Sequence, residues 1–496
     1  MVIKKSIAIR CFIILFITLI AIAINNAGVL TIATLICWTI GFVYSVRDIK
    51  LRFTMFSFHL GFFVFLLGGF VFYWLRNGDF GYFANPESTI EHTCRALLLS
   101  ISTYNVFSLI FRNRPEKEDV SQKEKRKEKE LIFTEKQKKT VSQIIIALLV
   151  ISFICELLIE VRTTIIIRAT SYALSMSVDT GLPTLITSFG SLYYIVLFLY
   201  WGMLPSKKGF YISASTLILL EIVILFSGER GEPISLMFTI LFYILLRNRR
   251  GVKDILIKKS VVVTALITIP FVLVSLQTLS YTRVKKEYSA DVTTGVSDFF
   301  ESQGGTAKII ANGYDLKDRI SEMGGHTFVF GTVRNYLKTN IFTRYLFGLS
   351  KSTRTVADAY SGNSYLATYG YAYSPVTYKR FVGSGSTYIA EVFQDGGYFF
   401  LMLFNVFIAF LNYKIDRFEE GSIISTAIVL NVFRYMVLLP RGVALQWLTS
   451  TFAIQNILLF LFLYVVLYRK KDSIEPDENV ETESDSDAVI KENVEH

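Results

Sequence analysis

Apolar runs long enough to cross a bilayer alternate with short charged turns along almost the whole chain, and one long stretch breaks the pattern. Roughly 20 apolar residues span the hydrocarbon, and such windows fall at residues 8–24, 28–46, 53–75, 93–111, 141–159, 183–203, 209–227, 233–247, 260–280, 389–412, 422–439 and 443–467. The pattern predicts an all-α polytopic membrane protein, with nine transmembrane helices in residues 1–280 and three in residues 389–468. Between them residues 281–388 form a tract that cannot sit in a membrane. It carries charges of both signs, turn-like pairs such as Gly304-Gly305, Asn312-Gly313 and Gly362-Asn363, and closely spaced tyrosines, among them Tyr360, Tyr365, Tyr369, Tyr371, Tyr373 and Tyr378. Disorder normally comes with few aromatics and blocks of like charge, so the tract reads as a folded module. Inside it, about Val296–Ile310 and Phe328–Leu346 place apolar residues at helical spacing, as interfacial helices do.

The cations orient the helices. The chain has 496 residues, a formal charge of +10, and 52% of its residues in the hydrophobic set; in such a chain the placement of positive charge decides more than its sum, and no nucleic-acid partner is implied. With a cytoplasmic N-terminus and an even number of spans, the inner loops collect Lys4, Lys5, Arg10, Arg47, Lys50, Arg52, Lys207, Lys208, the group Arg247–Lys259, Lys414, Arg417 and Arg469–Lys471. They also take the charged loop 112–140, whose alternating Lys/Arg and Glu predict a solvated tether. The outer connections hold only scattered cations such as Arg76, Arg162, Arg168, Arg230 and Arg441. The long tract therefore faces the extracytoplasmic side, and the tail 469–496, which turns acidic, is expected to be disordered in the cytoplasm. Cys11, Cys37, Cys94 and Cys155 all lie in apolar runs, which argues for buried thiols and against a disulfide framework.

No nucleotide loop, hydrolase elbow or zinc-spaced Cys/His cluster is present, and with four histidines no metal site or cofactor is expected. What remains is a set of arginines and carboxylates at the outer rim. Glu229-Arg230-Gly231-Glu232 forms a charged turn between spans seven and eight, with more charge than a plain hairpin needs. Arg283 lies where span nine emerges, beside Lys285 and Lys286. A glycine-rich turn, Gly383-Ser384-Gly385, leads through Tyr388 into Glu391 and Asp395, which share a helix face at i, i+4 as span ten begins. Arg434 lies inside span eleven, where Glu221 is a possible counter-charge, and Pro440-Arg441-Gly442 forms the next turn. His59, Glu156, Glu160 and Glu221 are polar positions within spans that read equally as lining a cavity or as satisfied interhelical contacts. Arginine binds diphosphate bidentately and stays charged, a carboxylate can take a proton from a sugar hydroxyl, and tyrosine rings stack on sugar faces. A lipid-linked diphosphate-sugar would use all three.

At these residues the chain resembles the Wzy-type O-antigen and capsule polymerases, both in its hydrophobic layout with one large outer loop late in the chain and in local pieces. Those pieces are Gly228–Pro233, Phe299–Gly305, Gly383–Glu391 and Pro440-Arg441-Gly442. The resemblance implies a GT-C-like glycosyltransferase architecture and metal-independent glycosyl transfer outside the cytoplasmic membrane. The donor would be a growing chain on undecaprenyl diphosphate and the acceptor one lipid-linked repeat unit. Carried over, Arg230, Arg283, Arg380 and Arg441 would bind diphosphate. Glu391 would be the base, with Glu232 and His326 as the other candidates, and Arg434, Asp395, Tyr388 and the loop tyrosines would hold substrate. Partners would be the lipid-linked oligosaccharides, membrane lipid, a chain-length regulator and a flippase. A ligase-like transferase and a lipid-linked oligosaccharide flippase remain as alternative readings of the same layout.

Overall fold

Among the described residues every regular element is helical. The computed structural model describes residues 4–113, 135–170, 181–255, 278, 292–324, 327–340, 343, 355–381, 385–419 and 421–468. The apolar windows form α1 (Lys5–Ile24), α2 (Ala27–Val46), α3 (Phe53–Asn77), α4 (Glu87–Arg112), α5 (Lys139–Ala169), α6 (Thr184–Gly202) and α7 (Lys207–Phe226), followed by α8 (Gly231–Arg249). In the tract 281–388 lie α9 (Val292–Gln303), α10 (Thr306–Asp315), α11 (Lys317–Glu322), α12 (Phe328–Thr339), α13 (Val356–Tyr360), α14 (Tyr365–Tyr373) and α15 (Pro375–Lys379). The chain then returns through α16 (Tyr388–Asp416), α17 (Ile423–Leu438), α18 (Gln446–Thr451) and α19 (Ile454–Tyr468). Nine of the described helices, α1–α7, α16 and α17 with its extension to Arg441, are long and apolar enough to cross a membrane. The expected span 260–280 and the charged loop between Asn113 and Glu135 lie outside the described residues, as does the acidic tail.

Two expected spans are interrupted, each for a visible reason. In α16 the backbone leaves helical geometry at Gly396 and Gly397, where φ at Gly397 is 64°, a value that a side chain would strain. The first two turns of α16 therefore belong to the rim, and the membrane-length run starts near Tyr398. The window 443–467 is likewise split: Asn456 Nδ2 donates to the Ser450 and Thr451 carbonyls at 3.0 and 3.2 Å, satisfying the end of α18 before α19 begins.

α4 is the central post, with α16 packed along it and α1, α2 and α10 on its other sides. A second group forms as α17 packs on α6 and α8, and α5 on α6 and α7. α3 touches both groups, lying against α2, α16 and α17. Its contact with the last turn of α17 needs a glycine: a Cβ on Gly61 would stand 2.7 Å from the Val437 carbonyl oxygen. A Phe cluster, with Phe53 within 6.3 Å of Phe238, Phe242 and Phe433 by ring centroid, fills the junction.

Helix ends expected on one side of the membrane meet in space. Lys4 N–H donates to Asn113 Oδ1, Arg112 pairs with Asp416, and Arg249 donates to the Asp416 and Lys50 carbonyls. At the opposite end Arg95 and Glu91 meet Asn25, Arg76 pairs with Glu301 at 2.9 Å, and Asn85 and Thr89 reach Asp315. Asp416 is the knot of the first end: 1% exposed, it also accepts the Thr54 N–H at 2.7 Å. Asp416→Ala is expected to cost about 3–5 kcal/mol, the usual loss when one partner of a buried pair is removed. A fall in the melting temperature of purified protein, larger than for Asp416→Asn, would register it.

The tyrosine-rich tract is folded around its own rings. Tyr365, Tyr369 and Tyr378 are 1–2% exposed, with the Tyr365 and Tyr369 rings stacked at 5.5 Å and the Tyr378 hydroxyl donating to the Thr355 carbonyl at 3.2 Å. Burial holds the Tyr365 phenol well above its ordinary pKa. The expectation that these rings hold sugars is corrected for those three, because their faces pack against protein; Tyr360 and Tyr373 are the exposed ones.

Candidate functional site around the turn after α17

Three rim segments far apart in sequence meet at the turn Leu439–Ala444. On one side the Thr387 hydroxyl donates to the Pro440 carbonyl at 2.9 Å, and the Ala444 N–H donates to Glu391 Oε2 at 2.8 Å. The Ser386 hydroxyl donates to Glu391 Oε1 at 2.6 Å. Glu391 is 1% exposed, and through Oε2 it joins the start of α16 to this turn while Oε1 holds Ser386. On the other side Leu438 packs against Gly231 at the start of α8. Arg434, one turn inside α17, forms an ion pair with Glu232 and lies 3.7 Å over the Tyr194 ring. The Tyr194 hydroxyl donates to Glu221 Oε1 at 3.1 Å. Arg441, exposed on the turn itself, donates to Gln303 Oε1 at 2.7 Å and sits over the Phe65 ring.

A pocket of about 170 Å³ opens beside this turn. Glu232, Arg434 and Gln446 supply its polar wall, and Tyr435, Leu438 and Trp447 its apolar one. The Arg434 side chain is 6% exposed and that of Glu232 33%, so the carboxylate is the more accessible member of the pair. The pocket thus offers a buried cation, an accessible carboxylate and an aromatic wall. Those are the elements that bind an oxyanion, accept a proton and stack on a sugar ring.

The remaining expected site residues sit elsewhere. Asp395 caps α12, accepting the Phe328 and Val329 N–H groups at 2.9 and 2.8 Å, a favourable place for a carboxylate because a helix N-terminus is positive. Tyr388 is fully enclosed, its hydroxyl donating to Asn405 at 2.9 Å across the break in α16. Arg380 is exposed just after α15. Arg230 is the N-cap of α8, half-buried, next to Glu232. Arg283 and His326 lie outside the described residues. Arg434 pairs directly with Glu232, and Glu221, the counter-charge the sequence offered, stands behind Tyr194 within its electrostatic reach. His59 is closed off, bonded to the Met55 carbonyl and Asn105 at 2.8 Å each.

The family model of the O-antigen polysaccharide polymerase Wzy matches residues 6–472. The chain belongs to this family. No curated protein and no solved structure matches it. Membership makes the chain a multi-pass membrane enzyme of polysaccharide biosynthesis, an O-antigen polymerase acting on lipid-linked oligosaccharide. The matched residues include all three rim segments, and in this Wzy-family chain the turn Leu439–Ala444 is what draws them together. Sequence reasoning missed Tyr194 and Trp447, and it named Gln303 only as part of the piece Phe299–Gly305, with no role. Each is an ordinary residue in an apolar or polar run, and no spacing links Tyr194 to Arg434 or Gln303 to Arg441 before the chain is folded.

Proposed function

We propose that this protein joins undecaprenyl-diphosphate-linked oligosaccharide repeat units on the outer side of the bacterial cytoplasmic membrane. In this reading twelve spans in a GT-C-like arrangement leave both termini in the cytoplasm. The observation that carries the reading is the pocket holding Glu232 and Arg434 beside the turn that presents Arg441. Arg434, with Arg441 and Arg230 at the rim, serves the diphosphate of the donor. Glu232 takes the proton of the acceptor hydroxyl as its oxygen attacks the anomeric carbon. The carbon–oxygen bond to the diphosphate breaks, and its electron pair leaves on the phosphate oxygen, where the arginines stabilise it. A diphosphate departs without being protonated, so one base and several cations suffice. Glu391 braces the turn rather than serving as the base, because it is 1% exposed and does not line the pocket.

Deleting the gene tests the reading against a flippase and a ligase. A polymerase null is expected to carry single repeat units on its surface, with long polymer restored by the intact gene. Repeat units stranded on the cytoplasmic face would point to a flippase, and long polymer left on its lipid carrier to a ligase; either result would refute the proposal.

A further inference from the structure

Arg434 has one more task than holding an anion, and its surroundings show why. A buried guanidinium needs a counter-charge, and here that is Glu232, the partner that faces the pocket. Behind it the cation rests on the Tyr194 ring at 3.7 Å, and Tyr194 is held in turn by Glu221. Glu221 is 7% exposed, and its Oε2 has no hydrogen-bond partner among the described residues. On the opposite wall Trp447 is 9% exposed, and its indole N–H is likewise without a hydrogen-bond partner among the described residues. A buried polar atom left unpaired is costly. An enclosed donor without a partner, on a residue that lines a pocket also holding a cation, points to a ligand with acceptor oxygens. Glu232 takes the place on Arg434 that such a ligand would occupy.

We propose that Glu232 and Arg434 form a substrate-operated latch. The donor's diphosphate displaces the Glu232 carboxylate from Arg434 and accepts the Trp447 N–H, while Tyr194 and Glu221, as positioning residues, keep the guanidinium in place. Displacement also changes what Glu232 can do. A carboxylate paired with arginine is a poor proton acceptor, and one beside phosphate oxyanions is a better one. The base is therefore released only when a donor is bound. This inference rests on the polymerase reading and assigns it an order of events.

The test measures binding and turnover separately, on the full chain in nanodiscs, with farnesyl diphosphate as the probe. Glu232→Gln removes the competing charge and the proton acceptor together. It is expected to bind the probe about fivefold or more tighter, since the probe no longer displaces an ion pair, while cells carrying it make single repeat units only. Glu232→Ala is expected to do the same. Trp447→Phe keeps the ring and loses the N–H, and is expected to weaken binding about fivefold. Tyr194→Phe keeps the ring beneath Arg434 but frees Glu221, and is expected to raise KM for the lipid-linked donor several-fold at nearly unchanged kcat. Unchanged or weaker binding in both Glu232 variants would overturn the latch. If Arg434→Ala meanwhile abolished both binding and polymer, the polymerase site would stand without it. If Arg434→Ala left both intact, site and latch would fall together.

Discussion

Cells whose only copy carries Arg434→Ala are expected to show surface glycan of single repeat units, with polymerisation down by about 10²–10³, the loss typical of removing one preorganised group that stabilises a leaving charge. The size of the effect follows from where Arg434 sits. Its side chain is 6% exposed, seated on Tyr194 and turned to the pocket, so no mobile surface lysine can take its place. Arg434→Lys separates charge from shape. The ammonium keeps the charge but loses the bidentate fork and the flat contact with the ring, and activity is expected to fall about tenfold. Glycan ladders on gels measure both variants at matched protein level. Normal ladders from Arg434→Ala would remove this pocket from the mechanism.

The second large effect separates a brace from a base. If Glu391 acts by tying Ser386 and Ala444 together, glutamine keeps its carbonyl oxygen for the Ala444 N–H and donates its amide N–H to the Ser386 hydroxyl, which can turn to accept. Glu391→Gln should then retain long polymer at a rate reduced about three- to tenfold. Burial pushes the Glu391 carboxyl up to about 8, and Glu391→Ala removes both of its hydrogen bonds, each worth about 0.5–1.5 kcal/mol. It also loosens the turn that carries Arg441 and lines the pocket, so polymerisation is expected to fall by about 10²-fold or more. Were Glu391 the proton acceptor, glutamine would be as damaging as alanine. Equal loss in the two variants, with normal amounts of protein in the membrane, would return the catalytic role to Glu391 and take it from Glu232.

Glu391 and Glu232 also mark how far a sequence can be read. Both stand at helix starts next to glycine-containing turns, and both carry charge that a plain turn does not need. Their chemistry was visible; their surroundings were not. Glu391 is enclosed because an N–H from residue 444 arrives beside it, and Glu232 stays accessible because α17 places Arg434 at the pocket wall. Asp395 shows the same limit, since its ligands are backbone N–H groups of residues 328 and 329, which no side-chain pattern announces. The tyrosines were misread for a related reason: a ring that can stack on a sugar can equally stack on another ring, and folding chose the latter for Tyr365 and Tyr369.

By itself the sequence determined that this chain is helical and membrane-spanning, where most helices begin and end, which ends share a side, and which residue types stand at the rim. Those properties depend on the transfer of short local stretches between water and hydrocarbon, which adds up residue by residue along the chain. The tertiary structure alone decided which carboxylate meets which cation, which aromatic rings are spent on packing, and where a pocket remains. Such pairings depend on the approach of segments up to several hundred residues apart to within hydrogen-bonding distance, as when Arg112 meets Asp416, and local composition carries no record of that approach.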